Sequence, residues 1–194
     1  MDIPELFLQR YISLYDFWLA DFWTHVTEGQ MRTRPHPRVN SIAWVFWHLT
    51  RVEDAGLNRF VADRPQVLDE GNWQERMKLP WRHNGNGMDF NEVDELGRRI
   101  DLEALHGYSN AVHDRTLEIV PTLNMDVRAP VMGANRLRKI LFEEGWARTN
   151  DPGLVDNYLN WTKGKCLMNF GLTHPYQHVG EMGVIASLLG VEFE

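Results

Sequence analysis

One cysteine in 194 residues, Cys166, is the first scarcity in this sequence. It excludes an intrachain disulfide and any cysteine-built zinc cage. Set in "KGKCLMNF", the thiol reads as a small buried apolar residue rather than a nucleophile. No uncharged apolar run approaches the roughly 20 residues of a membrane-spanning helix. The opening "MDIPELFLQR" carries acids and no basic lead into an apolar stretch, so it does not read as a signal peptide. A soluble, cytoplasmic protein is expected, which makes the Asn160-Trp161-Thr162 sequon accidental. There is no basic block either. A net charge of −7, from 20 bases against 27 acids, argues against nucleic acid and anionic membrane surfaces as partners. Strand-like alternation is almost absent, and no segment repeats or is low in complexity.

What is present is apolar content of 43%, enough for one core, and a single domain spanning 1–194 is expected. Phe7, Tyr11, Leu14, Trp18 and Phe22 recur at helical spacing and predict a first helix from about Pro4 to Glu28, with Gly29 as its stop. "TRPHPRVN" is irregular, and Asn40 then serves as N-cap for a second helix reaching about Ala62. Residues 63–88 read as a long connection anchored by Trp73 and Trp81, with a mobile tip at "HNGNG". Asp89 and Glu92 form a capping pattern for a third helix ending near Pro121. "DVRAPVMGAN" is irregular, and "RLRKILFEEGWA" is either a short helix or part of the connection. Helix returns from Leu154 to Leu189, with Gly190 as stop and Pro175 inside it. A proline ring collides with the carbonyl four residues earlier, which predicts a kink at 171–174 or a fresh helix capped by Thr173, with Gly171 absorbing the strain. The sum is an all-α four-helix bundle with long connections after helices two and three.

The chemistry lies in histidine. His174 and His178 in "THPYQHVGEM" stand four residues apart, about one helical turn or roughly 6 Å, so both imidazoles can reach one metal ion. Eight histidines give roughly 0.3 such pairs by chance, so the pair needs a third ligand. His48, among tryptophans and aliphatics in helix two, reads alone as a hydrogen-bonded core histidine. With the pair it completes the three-imidazole set of a catalytic metal site. Zinc, nickel, cobalt and iron all accept imidazole, so residue type does not name the ion. Arg51 and Glu181 each follow a ligand by three residues. Arg51 is a candidate for binding an anionic thiol, and Glu181 for orienting His178 or accepting a proton; a helix-edge ion pair is the plain alternative for each. His106 and His113 lie two turns apart, about 10.5 Å, too far for one ion. His25, His36 and His83 read as surface residues, and Trp44 and Trp47 as core.

"WHLTRVED" and "HPYQHVGEMGVIASLLG" resemble the DinB/YfiT-like family of metalloenzymes, the DinB superfamily. There one histidine of the second helix joins an H-x-x-x-H near the chain's end, followed by Gly-Gln or Gly-Glu and an apolar run closing on Leu-Gly. The resemblance implies a four-helix bundle of up-down-down-up connectivity and a divalent metal, zinc or nickel foremost, on His48, His174 and His178. It also implies frequent homodimers and thiol-dependent S-transfer or isomerisation of a small molecule, with a low-molecular-weight thiol as cosubstrate. Pro175 departs from the family's uninterrupted ligand helix. A non-catalytic metal-binding or stress-response protein, and a dimeric scaffold with a vestigial site, remain the alternatives.

Overall fold

The structure is a computed structural model describing residues 3–123, 126, 128–130 and 132–193. Four long helices build it. The first, α1, runs through Ile3–Ser13, a wider π-type stretch at Leu14–Leu19, and Ala20–His25. The second, α2, is Ile42–Glu53 continued by a wide stretch at Asp54–Ala62. The third, α3, is Leu102–Ile119, and the fourth, α4, is Lys163–Met168, a wide stretch at Asn169–Thr173, and His174–Leu188. Among the described residues the one extended pairing noted is an isolated antiparallel bridge between Pro130 and Thr162.

The sequence shows why α2 is central. All twelve residues from Ile42 to Glu53 are buried; the run from Ile42 to Trp47 is apolar on every side, while His48, Thr50, Arg51 and Glu53 are buried polar groups. It packs on α3 and α4, while α1 leans on α4. Its polar side chains are therefore committed to partners inside the bundle. Glu53 accepts hydrogen bonds from Tyr11, from the Tyr15 hydroxyl at 2.6 Å and from the Thr116 hydroxyl at 2.9 Å. Burial pushes its carboxyl up to about 7, against the pull of those three donors and with the Asp54 charge adding to the rise. Asp54 accepts from Asn58 and Tyr108 and caps the backbone N–H groups of Val67 and Leu68.

Several boundaries differ from the sequence reading, each for a local reason. The first helix ends at His25, and Gly29 is no stop: Thr27 and Gln30 form a capping box that starts a separate helix, Glu28–Arg32. Ser41, not Asn40, caps α2, accepting from the Trp44 N–H at 3.2 Å. The Asp89–Glu92 capping box is present, but its helix, Phe90–Arg99, breaks at Ile100, and Asp101 caps α3 anew. The last helical stretch divides likewise, into Pro152–Leu159 and α4, which Thr162 caps. Within the connection at 63–88, two short helices form at Val67–Glu70 and Trp73–Arg76. The doubtful "RLRKILFEEGWA" is helical from Ala134–Arg138 through Lys139–Glu143. Part of "DVRAPVMGAN" lies outside the described residues.

Pro175 does not break α4. Thr173 is helical and makes no side-chain cap, and the wide stretch at Asn169–Thr173 absorbs the proline as a one-turn bulge. Gly171 sits inside it, where a β-carbon would come within 2.5 Å of the Phe7 ring. Gly190, with φ of 72°, ends the helix as expected.

Candidate metal centre

His48 projects from the middle of α2 and is 3% exposed, and His174 and His178 stand on successive turns of α4 where that helix packs on α2. The bulge before Pro175 keeps the helical register running, so the four-residue step remains one turn. The His174 Nε2 atom lies 3.1 Å from His48 Nε2 and 3.1 Å from His178 Nε2. Two nitrogens each about 2.1 Å from one ion stand no more than about 4.2 Å apart, so both separations fit a shared ligand.

The outer nitrogens decide which way the lone pairs point. His48 Nδ1 donates to the backbone carbonyl of Asn84, and His178 Nδ1 donates to Glu181 Oε2 at 2.7 Å. Each hydrogen bond fixes the proton on Nδ1 and leaves Nε2 as a bare acceptor facing the others. Burial lowers His48 to about 4, the Asn84 hydrogen bond opposing. Burial lowers His174 to about 3, with His48 and His178 adding to the fall. Both rings are neutral near pH 7, as metal ligation requires. His174 Nδ1 is buried without a hydrogen-bond partner among the described residues. Whichever nitrogen of His174 holds its proton, a second acceptor or a buried donor is left poorly satisfied, and a cation at the centre removes the clash of lone pairs. The three side chains thus could hold one metal ion, and the donor set suits a divalent one.

Glu181 is held from two sides, receiving His178 on Oε2 and the Asn40 amide on Oε1 at 3.0 Å. Burial raises its carboxyl, but those hydrogen bonds together with the nearby His178 and His48 rings bring it below the usual range. For Arg51 the plain alternative, an ion pair three residues along the helix, is the arrangement found, with Asp54 at 3.5 Å. Three residues beyond His48, Arg51 is fully buried and donates to the Arg82 carbonyl at 2.8 Å, to Tyr108 at 2.9 Å and toward Asp54, so it is not available for an anionic thiol. Cys166 is buried, and burial pushes its thiol up to about 12, which excludes it as a nucleophile at neutral pH. His106 stacks on Trp23, and His113 on Tyr11 and Tyr15, away from the cluster.

A cleft of about 510 Å³ is lined by Asn40, Trp44, Glu181 and residues 85–88, of which Trp44 touches His48 and Glu181 touches His178. Trp44 lies flat on His48, ring centroids 4.8 Å apart, so it belongs to the core and to the cleft wall at once. The "HNGNG" tip is pinned: Asn84 N–H donates to the Trp146 carbonyl at 3.1 Å, and Arg148 donates to the Gly87 carbonyl at 2.8 Å. Asn40 was singled out only as a helix cap and Asn84 only as part of the loop tip, neither as a member of the centre. Asn84 acts through a backbone carbonyl, which carries no residue signature.

The sequence matches the DinB superfamily over residues 19–182. The chain belongs to the DinB superfamily. A conserved protein from Enterococcus faecalis shares the fold with a TM-score of 0.68 at 15% identity, covering 98% of this chain and 99% of its own. No functionally curated protein matches the sequence. Among the described residues of this DinB chain, no helix is long and apolar enough to cross a membrane.

Proposed function

We propose that the chain is a divalent-metal-dependent enzyme acting on a small molecule, with His48, His174 and His178 as the metal ligands. The observation that carries this reading is the convergence of three Nε2 atoms, two of them oriented by hydrogen bonds on the far side of the ring, beside an open cleft. A divalent ion, zinc or nickel foremost, supplies Lewis acidity and lowers the pKa of a thiol or water. Glu181, partly exposed at the cleft, orients His178 by accepting the hydrogen bond from its Nδ1. Trp44 holds the His48 ring flat and shields it from water. Thiol-dependent S-transfer or isomerisation is the reaction the resemblance implies, with a low-molecular-weight thiol as cosubstrate. Exposed Leu6, Phe17 and Trp18 on α1 support the expected pairing of two copies.

The test is a screen of a thiol with alkyl and aryl halides, using protein stripped by chelator and then reloaded with zinc or nickel. Turnover that vanishes on stripping and returns on reloading supports the enzyme. A protein that binds metal but gives no metal-dependent turnover with any pair is a metal-binding protein instead.

A further inference from the structure

The cleft is lined by two charged residues, by Asn40 and Asn86, and by a set of apolar side chains. Trp44, Met88, Phe90, Val184 and Ile185 supply apolar wall, and at about 510 Å³ the space suits a small organic molecule. None of the three histidines lines the cleft; Glu181 and Trp44 are the lining residues that touch them, and the Glu181 oxygens are already engaged by His178 and Asn40. The remaining charged group in the lining is Arg38, which has no ion pair and no side-chain hydrogen bond among the described residues. Acids exceed bases by 27 to 20, and Arg32, Arg34, Arg59, Arg82 and Arg148 each find a carboxylate.

The backbone that carries Arg38 is fixed from outside. Arg34 grips Asp94 through two hydrogen bonds of 2.6 and 3.0 Å and lies over the Phe90 ring at 4.8 Å. From there its guanidinium donates to the Pro37 carbonyl at 2.7 Å and the Val39 carbonyl at 3.4 Å, the residues on either side of Arg38. The Arg38 N–H donates to His36 Nδ1 at 3.1 Å, closing a turn around Pro37. One arginine thus holds the turn while the next cationic residue is left unneutralised at a cleft, an arrangement that lowers the cost of ordering on ligand binding.

We infer that the cleft binds a small molecule with an apolar body and a carboxylate-type anionic group, that Arg38 recognises the anion, and that the body lies along Trp44 and Met88 toward the histidines. The inference rests on the proposed metal centre only for the end of the ligand that meets it. The anion subsite itself stands on the cleft and on Arg38.

Phenylacetate and its neutral isostere phenylacetamide test it by amide NMR titration of the full chain, with metal content measured on the same samples. Phenylacetate should shift the Gly85 and Gly87 resonances and bind roughly fivefold more tightly than the amide. Arg38→Gln should abolish that preference while leaving the amide's affinity and the folded spectrum unchanged. Arg98→Gln, at an exposed arginine outside the cleft lining, should leave the preference intact. Equal binding of acid and amide, equal weakening of both by Arg38→Gln, or no shift at the cleft overturns the anion subsite. A protein that takes up no metal yet keeps the charge preference overturns the metal reading and not this one.

Discussion

At the scale of single residues, the cluster depends on what stands behind His48 and His178. Glu181 fixes the proton of His178 on Nδ1, and Asn40 fixes Glu181. Glu181→Gln keeps the size but weakens the acceptor and allows the amide to present N–H instead, so metal affinity should fall roughly tenfold to hundredfold with the fold intact. Competition with a chromophoric chelator measures it, and an unchanged affinity would remove Glu181 from the centre. The histidine cluster was legible, because a four-residue step on a helix is a geometric statement and a buried imidazole on a neighbouring helix comes within reach of the pair. For Arg51 the two readings stayed open, because a three-residue step places a side chain near a face without saying what meets it across the interface. There it meets Tyr108 and the Arg82 carbonyl. Arg38, in a proline-bounded segment, carries no periodic signal at all.

At the scale of helices, the long periodic elements were visible and their interruptions were not. Apolar spacing continues across the breaks at Ile100 and Asn160, while the new caps, Asp101 and Thr162, are single polar residues that look the same inside a helix. The wide stretches in α1, α2 and α4 change the turn by a fraction of a residue, which a spacing pattern cannot resolve. Gly171 is the point where this matters for the site. Its missing β-carbon admits the Phe7 ring, so Gly171→Ala must push α1 and α4 apart or shift the bulge that precedes His174. A loss of about 1–3 kcal/mol in denaturant unfolding is expected, together with weaker metal binding. Stability lost with metal affinity unchanged would show that the bulge does not position the histidines. Shortening the tip at 84–87 should reach both functions, since Asn84 orients His48 while Gly85 to Met88 wall the cleft.

At the scale of the molecule, the buried carboxyl of Glu53 gives folding a pH dependence separate from the metal. Its folded pKa, raised by burial to about 7, lies above the unfolded value near 4.5. The folded chain therefore binds a proton more tightly than the unfolded one. The stabilisation is full below the unfolded value and is lost as pH rises toward the folded one. The slope should run from about pH 4.5 to about pH 7, with an amplitude on the order of 3 kcal/mol. Urea titrations of metal-free protein across that range should show it, and Glu53→Gln, neutral at every pH, should flatten it. A slope unaltered in Glu53→Gln would assign the dependence to other groups.

The centre itself is tested most directly by metal stoichiometry. Protein expressed without a histidine tag, offered zinc or nickel and dialysed, is predicted to retain one divalent ion per chain. His48→Ala, His174→Ala and His178→Ala, each still helical by circular dichroism, are predicted to lose it. A parent protein that retains no ion, or a His48→Ala variant that binds as tightly as the parent, would contradict the three-histidine centre.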